Sequence, residues 1–279
     1  LTDSSAASDV YKRQAQGIVR RGQVMSEVTP GPRSSVFTTM RFTRERGLFL
    51  LDHHLARMVE HATKLRIDDS KINRESLLEF LRKNPPQISE GLLRFECTKS
   101  SELNVVYRPF TIQNEAIDGI TVPCPIWPPR VAGTKHGAWG AYTEARNYAE
   151  QKGADLALLV QDYSLVDGDR CTPIVLDEDG VVWVSNANNS VSSITLKVLH
   201  HSILEAGFHI QHGHLNERLV ARCVEVVAVG SGVGVLHIDS IDGETIGDGS
   251  ARLFDLCVSL LDREYDNPDN WEEVWSHDA

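Results

Sequence analysis

A two-domain α/β protein is the architecture the sequence predicts, and three observations predict it. Short β-branched and aromatic runs alternate with stretches of helical apolar periodicity along the chain. Residues 121 to 134, TVPCPIWPPRVAGT, hold four prolines and no stable period, as an interdomain linker does. The 279 residues are 41% hydrophobic and 24% charged, the profile of a soluble globular protein with a substantial core. These place an N-terminal α/β domain over residues 15 to 127, a C-terminal domain over 128 to 265 and a polar tail over 266 to 279.

The elements follow in chain order. SSVFTTMRF at residues 34 to 42 reads as a strand, and LFLL at 48 to 51 reads as a second strand after the charged turn RERG. In DHHLARMVEHATKLRI, Leu55, Met58, Val59, Ala62 and Leu65 recur at helical spacing, Asp52 is placed to cap the start, and Arg57 lies just off the apolar stripe. A second helix over about 74 to 83 stops before Pro85 and Pro86, and LLRFECT with LNVVYRPFTI forms a strand pair.

Beyond the linker, YTEARNYAEQKG is a helix ending at Gly153, ADLALLV a buried strand and IVLDEDGVVWV a hairpin around Asp179-Gly180. SSITLKVLHHSILEAG is a helix capped by serine and closed at Gly207. VEVVAVGSGVGVLHID is strand, glycine loop and strand, and a last helix spans about 251 to 263.

Composition narrows the function classes. A formal charge of −11 repels nucleic-acid backbones and anionic membranes, and no apolar run approaches the roughly 20 residues of a membrane-spanning helix. Cys97, Cys124, Cys171, Cys223 and Cys257 are scattered without ligand spacing, so they read as reduced thiols of a cytoplasmic protein. The first stretch, LTDSSAASDVYKRQ, lacks the apolar segment of a secretion signal. One reverse translation of residues 9 to 14, GATGTGTATAAGAGACAG, resembles a sequencing-library adapter, and residues 1 to 14 are read as an assembly scar.

Several motifs carry candidate chemistry, each with a plainer alternative. Gly230-Ser231-Gly232-Val233-Gly234 follows a strand like a dinucleotide-binding loop, but Val235-Leu236-His237-Ile238 continues as strand, so no helix N-terminus receives a pyrophosphate. The nicotinamide reading fails there, leaving a tight strand connection or a loop of backbone N–H groups that binds phosphate. Ser192-Ser193-Ile194-Thr195 opens a helix, where free N–H groups either attract an anion or simply cap their own helix. The pairs His53-His54 and His200-His201, and the group His209, His212 and His214, lack metal-ligand geometry, so no metal is expected. Lys135, in Gly-Thr-Lys-His-Gly with Trp139 and Tyr142 nearby to exclude water, is either a surface lysine or a buried nucleophilic amine.

Read in order, SVFTTMRF, LLDHHLARMVEHATKL with its His-x-x-Arg pattern, LLRFECT, TKHGAWGAYTEARNYAEQKGADLALLV, VDGDRCTPIVL, SSITLKVL and VEVVAVGSGVGVLHIDSIDG resemble the class IV aminotransferases, the fold type IV enzymes of pyridoxal 5'-phosphate (PLP). The resemblance covers about residues 34 to 254. It implies a small N-terminal α/β domain, a larger C-terminal domain with a pseudo-barrel, and a homodimer. It implies PLP joined to Lys135 as a Schiff base, with Lys135 and Thr38 at the reacting centre. Phosphate contacts fall to Arg57, to Ser193, Ile194 and Thr195, and to Gly230, Ser231 and Gly232.

Two departures stand out. Where the family sets a glutamate against the pyridine nitrogen, Gly168 is aligned, and Asp167 or Asp169 is the available replacement. The tyrosine usual five residues after the lysine is Gly140, with Tyr142 as a possible substitute. The Thr38-Thr39 doublet and Lys135-His136 tilt the resemblance toward the 4-amino-4-deoxychorismate lyases. The expectations are therefore an aminotransferase acting on amino-acid or amine and keto-acid substrates, a lyase releasing pyruvate and 4-aminobenzoate, or a PLP-binding protein that has lost catalysis.

Overall fold

The computed structural model describes residues 30–113 and 115–275, so the assembly-scar reading of residues 1 to 14 lies outside the described residues. Two sheets organise the chain. The first contains β1 (Ser35–Thr43), β2 (Gly47–Phe49), β3 (Glu90–Thr98), β4 (Leu103–Arg108) and β15 (Trp271–Glu272), in the order β15-β2-β1-β3-β4 and antiparallel throughout. Helices α1 (Leu51–Leu65) and α2 (Arg74–Lys83) pack on one face. The period of two along β1 divides its side chains: Val36, Met40 and Phe42 join Met58, Ala62 and Leu65 in the core, while Phe37 and Thr39 point the other way.

The second sheet comprises β5 (Ile117–Pro123), β6 (Leu156–Gln161), β7 (Ser164–Gly168), β8 (Thr172–Leu176), β9 (Val181–Ser185), β10 (His209–Gly213), β11 (Leu215–Asn216), β12 (Glu225–Gly230) and β13 (Gly234–Ile241), with β14 (Glu244–Thr245) paired to β13. Its order is β10-β9-β8-β12-β13-β5-β6-β7-β11. Three of the pairings, β5 with β6, β5 with β13 and β9 with β10, are parallel. Because β7 folds back beside β8 and β9, the sheet curls into a nearly closed pseudo-barrel. β8 and β12 are buried along their whole length, which is why they read as unbroken apolar runs.

Helix α3 (Gly140–Gln151) covers β5 and β6. Helices α4 (Ile194–Glu205) and α6 (Arg252–Asp266) pack together over β8 and β12, and a short α5 (Glu217–Ala221) follows β11. Two ends are secured by side chains. The Ser193 hydroxyl accepts from the Leu196 amide at 3.2 Å. Glu225, inside β12, accepts from the Leu253 and Phe254 amides at 2.9 and 2.7 Å, a tertiary cap for α6.

Several expectations are corrected. Asp52 sits in the first turn of α1 and does not cap it; the cap position is Leu50, in the left-handed region at φ 54° and tied by its amide to Asn270 O at 2.8 Å. The proline-rich stretch begins inside β5, which belongs to the second sheet, so the crossover between sheets falls before Ile117 and not at 127/128. Its first residues are extended because each edge finds a strand partner, a constraint that outweighs proline's lost donor at the strand's end. The tail read as polar returns as β15 against β2, where Gly47, at φ 93°, leaves room for the Glu272 and Glu273 backbone. Val274 and Trp275 then pack into the first core.

Glu225→Ala removes both acceptors from the start of α6 and leaves buried amides unpaired, so the midpoint of urea unfolding is expected to fall by the equivalent of about 1–3 kcal/mol. An unchanged midpoint would show that this cap contributes nothing.

Candidate active site

Lys135 is held by its backbone. Its carbonyl accepts from the Phe37 amide of β1 at 3.2 Å, its amide donates to His61 Nδ1 of α1 at 3.1 Å, and the next residue, His136, bridges Val36. The strand, the helix and the lysine are thus one unit. His61 must carry its proton on Nε2, and burial with the nearby cations Arg57 and Lys135 pulls its pKa down to about 3.

The Lys135 side chain enters a buried aromatic wall. Nζ stands 4.5 Å from the Trp139 ring centre and 5.4 Å from that of Phe37; Trp139 stacks on Tyr142 at 3.9 Å, and Tyr142 accepts from Trp127 Nε1 at 3.2 Å. Burial, then repulsion from Arg57, holds the Lys135 amine below the ordinary lysine value, opposed by Asp167. Such an amine is more often neutral, and therefore nucleophilic, near neutral pH.

Anion-binding groups meet at one side. Arg57 Nη1 donates to Ser192 O at 3.0 Å and Nη2 to Thr38 Oγ1 at 3.0 Å, while Nε is buried without a partner. Burial lowers the Arg57 pKa to about 10, so the guanidinium remains a cation at neutral pH. Beside it lie Ser193 and Ile194 at the N-terminus of α4 and Gly230, Ser231 and Gly232 in the β12–β13 turn. Backbone N–H groups of a helix start and a buried, partly unsatisfied guanidinium together suit a phosphate.

Two carboxylates lie across the cavity in different settings. Asp167 accepts from Val191 N at 2.8 Å, Gly168 N at 3.1 Å and Thr172 Oγ1 at 3.3 Å. Burial pushes its pKa above the carboxylate range, and these bonds and Lys135 oppose that. Asp169 turns to Arg170 at 2.7 Å and Arg146 at 3.8 Å. Between them, Gly168 is required sterically: a Cβ there would stand 2.6 Å from Cys171 Sγ and 3.0 Å from Cys171 O. A side chain at the aligned position therefore requires the Cys171 thiol to shift and crowds the backbone that closes the β7–β8 turn.

A cavity of about 520 Å³ joins these parts. Arg57, Lys135, Asp167, Asp169, Ser193, Ile194, Gly230, Ser231 and Gly232 line it. Thr195 is buried in α4 away from the wall. Thr38, expected at the reacting centre, does not line the cavity: alternation along β1 turns it toward α1, its hydroxyl engaged by Arg57 and His54, and places Phe37 and Thr39 on the cavity instead.

The sequence reading missed other residues of this region. Arg94, whose guanidinium lies 3.6 Å from the Phe37 ring centre, and Arg108 line the cavity from β3 and β4. With Arg146 and Arg170 they make the cavity cationic within a chain of charge −11. Among the described residues no group of three or more His, Cys, Asp or Glu could hold a metal ion.

The amino-transferase class IV family matches residues 35–241. No curated protein matches the sequence. Among solved structures, the branched-chain aminotransferase of the thermophilic archaeon Thermoproteus uzoniensis, with norvaline, superposes with a TM-score of 0.72 at 15% identity, covering 86% of this chain and 90% of that one. A candidate 4-amino-4-deoxychorismate lyase gives 0.69 at 23% identity over 86% and 95%. A hypothetical aminotransferase of Mycobacterium tuberculosis, with α-ketoglutarate and PMP bound, gives 0.71 at 15% identity over 90% and 97%. The two-sheet architecture with its pseudo-barrel is thus PLP fold type IV.

Gly168→Ala is expected to lower stability by about 1–3 kcal/mol through overpacking against Cys171. In a Cys171→Ala background the cost should shrink, because one of the two clashing atoms is gone. Equal costs in both backgrounds, read by urea unfolding, would refute the steric account.

Proposed function

The chain belongs to the class IV aminotransferase family, and from that premise we propose that it is a PLP-dependent enzyme acting on the amino group of an amino acid or amine, with Lys135 as the cofactor's lysine. The observation that carries this reading is the convergence of a desolvated amine, a buried arginine with an unpartnered Nε, a helix N-terminus, a glycine turn and a hydrogen-bonded carboxylate on one cavity.

In this reading the phosphate of PLP is held by Arg57, by Ser193 and Ile194, and by the turn at Gly230, Ser231 and Gly232. Asp167, not Asp169, faces the pyridine nitrogen, because Asp169 is already committed to Arg170 and Arg146. A carboxylate bonded from three sides keeps a proton on that nitrogen. Bound PLP supplies the electron sink for the pair left when a bond to the amine-bearing carbon breaks.

The Lys135 amine would accept and return the proton at that carbon, a task suited to an amine whose pKa lies near neutrality. Phe37, Trp139 and Tyr142 exclude water around its Nζ. Arg94 and Arg108 are available to the carboxylate of an amino-acid or keto-acid substrate.

Transamination is the leading reaction. Pyruvate elimination from 4-amino-4-deoxychorismate is the second reading, favoured by the Thr38-Thr39 doublet and by the likeness to a candidate lyase of that kind. A cytoplasmic homodimer completes the reading; the free buried thiols accord with a reducing compartment, and among the described residues β4 is an edge strand of its sheet.

The test is a visible absorption spectrum of protein purified with PLP, followed by borohydride reduction and peptide mapping. Wild type is expected to show a band that borohydride removes while fixing the cofactor to Lys135, and Lys135→Ala to show none. A wild type without the band, or a tag on another lysine, overturns the proposal. A keto-acid requirement for turnover then separates transaminase from lyase.

A further inference from the structure

Thr38 does not reach the cavity, yet its hydroxyl is bonded on two sides. Oγ1 lies 3.0 Å from Arg57 Nη2 and 2.7 Å from His54 Nδ1. Arginine can only donate, so its bond has one direction, while the hydroxyl, with one hydrogen and two lone pairs, meets Nδ1 as donor or as acceptor according to the His54 tautomer. Nη2 donates to Oγ1, and a neutral His54 pairs with Oγ1 through Nδ1 in either tautomer. Burial first, then the charge of Arg57, supports that neutral state. His54 Nε2 itself is buried without a partner, so the ring's one satisfied polar atom is the one that holds Thr38.

The second anchor of the guanidinium is the Ser192 carbonyl, immediately before the cap of α4. Arg57 is therefore fixed between two neutral acceptors, one on the first sheet and one at the start of a helix of the second unit. Among the described residues it forms no ion pair. Its Nε–H remains free on a group that lines the cavity.

We propose that Thr38 and His54 are positioning residues: a neutral hydrogen-bond chain that aims Arg57 at the anion end of the cavity and leaves its charge unshared. The proposal rests on the reading of Arg57 as a phosphate contact. The components are all on one side of β1 and one face of α1. Thr38 points to the helix because it alternates with Phe37 and Thr39, and His54 and Arg57 are three residues apart on α1, hence neighbours. Removing the hydroxyl would strip one guanidinium N–H of its acceptor and let the side chain swing without altering the cavity wall.

The experiment compares the full chain, freed of cofactor and titrated with PLP or with pyridoxal, which has no phosphate. Thr38→Val is expected to weaken PLP binding by about ten-fold and pyridoxal binding by less than about two-fold, as loss of a charge-assisted bond to one neutral partner implies. Thr38→Ser, which keeps the hydroxyl, should bind both as wild type does. His54→Phe should weaken PLP in the same selective way by roughly three-fold, and it carries the test alone if Thr38→Val does not fold. Unchanged PLP affinity in these variants, or equal losses for PLP and pyridoxal, overturns the proposal. A wild type that binds PLP no better than pyridoxal would instead refute the phosphate reading of Arg57.

Discussion

The constraint on which the rest depends is the docking of the Lys135 backbone between β1 and α1. One amide and one carbonyl of this residue are spent on His61 and Phe37, so the lysine cannot move without breaking the contact between the two sheets. A catalytic side chain on a free loop would sample many rotamers; a backbone pinned at both ends leaves only the side chain to be placed. The aromatic wall of Phe37, Trp139 and Tyr142 then follows, because each of these residues lies on β1, on the docked segment or on the helix that it leads into.

The two structural units are joined elsewhere by apolar and aromatic contact. Phe49 of β2 packs on Tyr265 and Trp271 at 4.4 and 5.2 Å, and Arg41 of β1 is enclosed by Phe110 and Tyr265 at 4.2 and 4.4 Å. The C-terminal segment that returns as β15 therefore braces the side of the first sheet farthest from β4. These contacts join the units beside a cavity in which Arg57 and Asp167 are buried. Charge effects inside it are correspondingly strong.

Within that environment Arg57, Lys135 and Asp167 set one another's states. Arg57 lowers the Lys135 amine, Asp167 raises it, and both carry the cost of burial. A buried arginine whose Nε lacks a partner, set beside a helix N-terminus, is a group that an anion would complete, the kind of feature that marks a candidate ligand site. The cavity is thus cationic in an acidic chain, with Arg94, Arg108, Arg146 and Arg170 gathered on its lining while the net charge is −11.

Much of this was legible in the sequence. β-branched and aromatic content, helical apolar spacing, a turn dipeptide and a capping serine located β1, α1, the β8–β9 hairpin and the capped α4, because each is a local property of the chain. The order of the motifs also marked Lys135, Arg57, Ser193 and the Gly230 turn. Tertiary structure alone decided which face of β1 meets the cavity, since a doublet such as Thr38-Thr39 has one residue on each side and only the partner helix says which is which. It alone showed that Gly168 is crowded by Cys171 and that Asp167, just before it in β7, is the carboxylate not committed to an arginine. It brought Arg94 and Arg108, distant in sequence from every other site residue, to the same wall by the pairing of β3 with β4. Local propensity is written in neighbours along the chain, whereas a site is made by neighbours in space, and the pairing that creates them is fixed by burial of the whole core.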